Sequence, residues 1–143
     1  MEIKPSHRRR ARRMVLQAMY QWLISQNPLT DIEAQFHTSE DMTKIDVDYF
    51  HELLHEIPKN LSDVDAMFTP FLNVPFADLD PIELCVLRIA SYELRYRLDV
   101  PYKVVINEAL SLTKSFGSIE GYKFINAVVD KVAHTERQEE VGG

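Results

Sequence analysis

Five arginines fall within six positions near the start of the chain: Arg8, Arg9, Arg10, Arg12 and Arg13, with Lys4 just ahead of them. Guanidinium groups grip phosphate in a planar, two-pronged fashion, so this arginine-rich motif calls for a polyanion. Counted to Arg13, six cations face only Glu2, a net charge of +5; the other 10 Lys/Arg stand against 21 Asp/Glu, a net of −11. An otherwise acidic chain has gathered its positive charge at one end. The bland alternative is a solvated charge run. Against it, cations in an opening helical turn oppose the positive end of the macrodipole, at roughly 0.3–1 kcal/mol each. Exposed amides at that same end suit phosphate. At 100° per residue, Arg9, Arg13, Gln17 and Tyr20 also share one face. Such a set can hold phosphate, hydrogen-bond a base edge and stack on a base. Tyr20 taken alone reads equally well as a half-buried aromatic. The chemistry of the whole set is that of nucleic acid, RNA above all.

A second pattern with chemical content is His51-Glu52-Leu53-Leu54-His55. On a helix it sets two imidazoles one turn apart, as zinc requires, with a glutamate able to act as general base. No third ligand is evident, and both histidines flank the apolar stripe Phe50, Leu53, Leu54, Ile57, which places them at its solvated margin. A zinc hydrolase is therefore a distant reading, and no metal is assigned. No glycine-rich phosphate loop or nucleophile elbow is present, and Cys85 sits in the most apolar stretch as a core residue. The expectation is a chain that is not an enzyme and takes no cofactor.

The elements that must carry these residues are all helical. Val15, Ala18, Met19, Trp22 and Leu23 form one apolar stripe, extended back by Ala11, with Ser6 as N-cap after Pro5; Asn27-Pro28 closes this helix. Residues 32–37 make a short helix, and 38–41 a polar connector. The Phe50 stripe marks another helix that stops at Pro58. Residues 61–73 follow, with Val64, Phe68, Phe71 and Leu72 inward and a kink or early end at Pro70. Asp80-Pro81-Ile82-Glu83 is a helix start with an acid cap, proline at N1 and Glu at N3. The helix over 82–97 is apolar almost all round, so it is central. A helix over about 103–116 ends with Gly117 at C′. Ser118 caps the last helix, whose inward residues are Phe124, Ile125, Val128, Val129 and Val132; the acidic tail frays.

The fold expected is all-α: a compact bundle of six to seven helices within one domain. Its halves cover about 1–58 and 59–135, followed by a frayed tail over 136–143. No apolar run reaches the roughly 18 residues of a membrane span, and the basic start lacks the apolar block of a secretory signal. With a single cysteine, a cytoplasmic setting is expected.

Four ordered blocks resemble the NusB family of bacterial transcription antitermination factors over essentially the whole chain. They are Arg8-Arg9-Arg10-Ala11-Arg12 with Gln17-Ala18-Met19-Tyr20; Leu87-Arg88-Ile89-Ala90 with Tyr92-Glu93-Leu94; Val100-Pro101-Tyr102-Lys103-Val104 with Ile106-Asn107-Glu108-Ala109; and Lys114-Ser115-Phe116-Gly117 with Lys123-Phe124-Ile125-Asn126. The resemblance implies an all-α fold of two small helical halves. It implies binding of single-stranded boxA RNA jointly with NusE, a small-subunit ribosomal protein. The pair would help assemble an antitermination complex on RNA polymerase, notably in ribosomal RNA transcription. Carried over residue by residue, it implies RNA contact at Lys4, Arg8, Arg9, Arg10, Arg12, Arg13, Gln17 and Tyr20, and at the turn holding Phe116, Glu120 and Lys123. Phe116 reads either as a stacking platform or as core. Glu120 would repel phosphate unless it accepts from a base amino group. Glu83 matches a position near both RNA and NusE, although its place in the helix start accounts for it equally. The acidic body suits a basic ribosomal protein. A helical protein-interaction module with incidental RNA binding is the alternative. Whether the uncomplexed chain forms a homodimer is open.

Overall fold

The computed structural model describes residues 4–142, and all regular secondary structure among them is helical. Eight α-helices appear, one more than the upper expectation, together with three single-turn 3-10 segments. The chain forms two units, Met1–Lys59 and Asn60–Gly143.

In the first unit α1 spans Pro5–Ser25, α2 Leu29–Ser39 and α3 Val47–Lys59, with a 3-10 turn at Met42–Lys44. Ser6 does not cap α1. Proline's fixed φ and missing N–H suit N1, so Pro5 takes that place and Lys4 is the N-cap, without a side-chain cap bond. The first turn of α1 carries no acid, leaving the macrodipole unbalanced as the sequence implies. Gln26 ends the helix in the left-handed region, at φ 59°, with its N–H on the Trp22 carbonyl at 2.9 Å. The core collects Val15, Leu16, Ala18 and Met19 from α1, Ile32 and Phe36 from α2, and Phe50, Leu53, Leu54 and Ile57 from α3. Each such large apolar side chain contributes about 1.5–3 kcal/mol by leaving water. Trp22 and Leu23 are only half-buried. Pro58 lies inside the last turn of α3 and does not stop it; so near the end, its absent N–H forfeits one bond of the ladder. Asp46 both joins the starts of α1 and α3 and caps α3. The Asp46 N–H donates to the His7 carbonyl at 3.2 Å, while Asp46 Oδ1 accepts the Tyr49 N–H at 3.0 Å and so caps α3.

In the second unit α4 spans Leu61–Phe68, α5 Pro81–Tyr96, α6 Tyr102–Phe116, α7 Ile119–Glu136 and α8 Gln138–Gly142. Pro70 ends α4 early, within a 3-10 turn at Thr69–Phe71. Asp80 caps α5 as expected, its Oδ2 accepting the Ile82 and Glu83 N–H groups at 3.0 and 3.1 Å. Every residue of α5 from 84 to 94 is buried, which makes it the axis of this unit. Arg88, 6% exposed, is tolerated there through a two-pronged pair with Asp65 of α4, at 2.9 and 3.0 Å. Burial pushes the Cys85 thiol up to about 12, which leaves it neutral and unreactive near pH 7.

The expected frayed tail is a correction. Glu136 belongs to α7 and makes a two-pronged pair with Arg95 at 2.8 and 3.0 Å. Arg137 is 6% exposed. It donates to the carbonyls of Leu94, Glu93 and Arg97 at 2.6, 3.2 and 3.0 Å, closing the C-terminal end of α5. Glu140 of α8 accepts from Arg137 at 2.6 Å and from the Tyr102 N–H at the start of α6 at 2.9 Å. The acidic run is ordered because its charges meet a buried guanidinium and a helix N-terminus. Gly143, the end of the expected tail, lies outside the described residues.

Candidate nucleic-acid interface

The arginine cluster divides by the side of α1 on which each residue falls. Arg8 and Arg12, one turn apart, face inward. Their guanidinium carbons lie 4.3 and 5.4 Å from the centre of the Tyr49 ring, and Arg8 Nε is 3.6 Å from Asp46 Oδ2. Tyr49 is 2% exposed and Arg12 3%. Arg12 is thus corrected from an RNA contact to a packing residue that covers an aromatic face, and Arg8, half-buried, joins it.

Arg9, Arg10, Arg13 and Gln17 lie exposed on the other side of α1, and Tyr20 keeps 39% of its surface in solvent. Lys4 is exposed at the N-cap. The expected face of Arg9, Arg13, Gln17 and Tyr20 is therefore solvent-facing. Beside it runs an open groove of about 380 Å³, lined by Arg10, Arg13, Met14 and Gln17 and, opposite them, by Glu40, Asp41, Lys44 and Ile45. Arg10 Nη1 donates to the Lys44 carbonyl at 3.3 Å, tying α1 to that wall. Asp41 Oδ1 accepts from the Thr43 N–H and hydroxyl at 3.0 and 2.7 Å. These bonds hold its carboxyl below the usual range. The groove therefore has a cationic wall and, opposite it, a mixed one where Glu40 and Asp41 stand beside Lys44. Phosphate is favoured on the arginine side and repelled by Asp41, whereas a base edge with both donors and acceptors suits the space between.

The second unit places Phe116, Glu120 and Lys123 around one turn. Phe116 is half-buried as the last residue of α6, while Glu120 and Lys123 are exposed and three residues apart on α7. Gly117 is not the left-handed residue expected: its φ is −117°. Glycine is required for space, since a Cβ would lie 2.9 Å from the Thr113 carbonyl oxygen. Ser118 caps α7 as expected, accepting the Gly121 N–H at 3.0 Å.

Glu83 and Glu120 meet on a second groove of about 360 Å³, whose lining includes Asp78, Asp80, Ser118 and Gly121. A Cβ on Gly121 would stand 3.1 Å from Glu83 Oε2, so the Glu83 carboxylate lies directly against the start of α7. Burial pushes the Glu83 carboxyl up, helped by the negative charge of Asp80. Four carboxylates and no cation line this hollow, the opposite character to the face of α1.

Two histidines of the His51–His55 pattern stand where the sequence puts them, at the margin of the α3 stripe: His51 is exposed and His55 half-buried. Missing from the sequence reading was Glu33, whose carboxylate lies against both rings. Its signal was faint: Glu33 precedes Phe36 by three positions, hence borders the apolar stripe of α2 as His51 borders that of α3.

The NusB family model matches residues 9–134. A transcription antitermination protein NusB from Idiomarina loihiensis is 53% identical over 135 residues, covering 94% of this chain and 97% of that protein. The protein of that name from Saccharophagus degradans is 51% identical over 142 residues, covering 99% and 95%. Among solved structures, T. maritima NusB superposes with a TM-score of 0.80 at 28% identity, covering all of both chains. No helix among the described residues is long and apolar enough to cross a membrane. With the all-helical fold and the match spanning both units, the chain belongs to the NusB family, a non-enzymatic family of transcription antitermination factors.

Proposed function

We propose that this protein binds boxA-type single-stranded RNA through the outward face of α1, jointly with NusE, and so helps assemble an antitermination complex on RNA polymerase during ribosomal RNA transcription in the cytoplasm. The observation that carries this reading is the sorting of the arginine cluster. Arg8 and Arg12 are absorbed by Tyr49, yet Arg9, Arg10 and Arg13 remain exposed in a continuous line with Gln17 and Tyr20. Arg10 also braces the groove through the Lys44 carbonyl, but all three outward guanidinium groups stay at the surface, where a phosphate backbone can reach them.

Phosphates engage Lys4, Arg9, Arg10 and Arg13, supplying most of the affinity and its salt dependence. Gln17 and the two-signed groove read base edges, and Tyr20 offers a stacking face. Phe116, Glu120 and Lys123 are further RNA contacts, with Glu120 accepting from a base amino group. The acidic groove holding Glu83 suits a basic ribosomal protein by charge. Binding of RNA and NusE is then coupled, each raising the other's affinity.

The test is RNA binding with and without NusE, comparing boxA with a scrambled RNA of equal length. Tighter binding of boxA, strengthened by NusE, is expected. Equal affinity for both RNAs reduces α1 to a nonspecific basic arm, with the protein serving as a protein-interaction module.

A further inference from the structure

Away from the arginine face, the first unit brings together two imidazoles and a carboxylate from two helices. The His51 and His55 rings of α3 have centroids 4.4 Å apart. Glu33 of α2 forks between them, with Oε2 at 2.7 Å from His51 Nδ1 and Oε1 at 2.8 Å from His55 Nε2. The packing of Phe36 on Phe50, ring centroids 5.9 Å apart, carries both helix margins to the same place.

We propose that Glu33, His51 and His55 form a three-ligand site for a divalent transition cation of the zinc type, which ties α2 to α3. The ligand atoms all lie within 4.8 Å of one another. Ligand atoms around zinc stand roughly 3.3 Å apart for bonds of about 2.0–2.1 Å, so small side-chain rotations complete the site. Two imidazole nitrogens with one carboxylate oxygen suit zinc, nickel or copper; magnesium and calcium demand a shell of oxygens.

A carboxylate only accepts, so each ring nitrogen facing Glu33 carries the proton in that bond. On coordination those two nitrogens give their lone pairs to the cation, and each proton moves through solvent to the other nitrogen of its ring. A neutral imidazole thus binds with no net loss of a proton. The Glu33 side chain is 15% exposed and that of His55 24%, while His51 is 61% exposed. The site is walled on one side and open on the other, where water fills the remaining position. Its role is to staple two helices, in keeping with a family that is not enzymatic.

The experiment titrates zinc into the tag-free full-length chain by calorimetry, with magnesium as control, and follows thermal unfolding at each metal level. One equivalent of zinc, a raised Tm and no response to magnesium are expected. Outer partners of a metal ligand alone shift affinity by about 10–100-fold, so Glu33→Gln should weaken zinc by at least about tenfold and His51→Asn by more. His51 is exposed, so that variant keeps its fold, checked by circular dichroism. Absence of stoichiometric binding overturns the proposal. So does zinc binding unchanged in both variants, which marks adventitious capture by His7, His37 or His134. Binding lost in His51→Asn but unaltered in Glu33→Gln reduces the site to a bare histidine pair and overturns it as well.

Discussion

The Arg8 guanidinium lies 4.3 Å from the centre of the buried Tyr49 ring, and Arg12, one turn along, covers the same tyrosine at 5.4 Å. Arg9 and Arg13, one residue further in each case, are exposed. A step of 100° around α1 thus separates arginines that hold the helix on α3 from arginines that face solvent. The two pairs should respond oppositely to the same substitution.

Arg9→Ala/Arg13→Ala is expected to weaken boxA RNA binding and to flatten its dependence on salt by about 1.4 in the log–log slope, at about 0.7 per lost phosphate contact on a single strand. Its urea midpoint stays near that of the parent. Salt-titrated RNA binding checks this; an unchanged slope removes the assignment of α1 as the RNA face.

Arg12→Ala is expected to do the reverse for stability. Losing a buried guanidinium over an aromatic face costs about 1–3 kcal/mol, read as a lower urea midpoint with an unchanged m-value.

Arg137→Ala should cost about 2–4 kcal/mol in urea unfolding, because three carbonyls at the end of α5 lose a charged donor and two of those bonds are buried. Arg137→Lys recovers only part of this, since an ammonium lacks the planar spread of donors.

Acid sensitivity has an assignable source in Glu140. The Tyr102 N–H, then Arg137, hold its carboxyl below the ordinary range in the folded chain. Its stabilisation is therefore complete above the unfolded-state value and is lost as pH falls through the depressed one. Stability curves of the parent and Glu140→Gln should differ most near neutrality and converge in acid. Parallel curves across that window would contradict the linkage.

The acidic groove gives a prediction about partners. Glu120→Lys puts a cation among Asp78, Asp80 and Glu83. Association with NusE should slow and lose its salt dependence, with little change in Tm. Stopped-flow association at two ionic strengths reads this directly.

Much of the architecture was legible because it is encoded locally. Asp80-Pro81 states a helix start in two residues, Pro70 an end, and the buried stretch of α5 announces itself by lacking a polar face. Even the division of the arginines was latent, since Arg8 and Arg12 each lie three positions before a core residue, Ala11 and Val15. Their partner was not, because Tyr49 arrives from another helix. The same distance hid Glu33 from His51, 18 positions away, and Arg137 from Leu94, 43 positions away. An acidic tail with one arginine reads as disorder until the carbonyls it closes are in view. In the first groove, too, Asp41 faces arginines about thirty positions earlier in the chain, a pairing that no local pattern marks.

The bond from the Asp46 N–H to the His7 carbonyl bears on how RNA would be met. Arginine-rich segments commonly gain their structure from the nucleic acid they bind, and coupled folding of that kind costs on the order of 2–5 kcal/mol of the gross interaction. Here the first turn of α1 is moored to the start of α3 beforehand. The guanidinium groups are already spaced before any phosphate arrives, and the ordering entropy is spent when the chain folds. Complex formation should then leave the far-ultraviolet dichroism of the protein unchanged and show a small heat-capacity change, the signature of a rigid template.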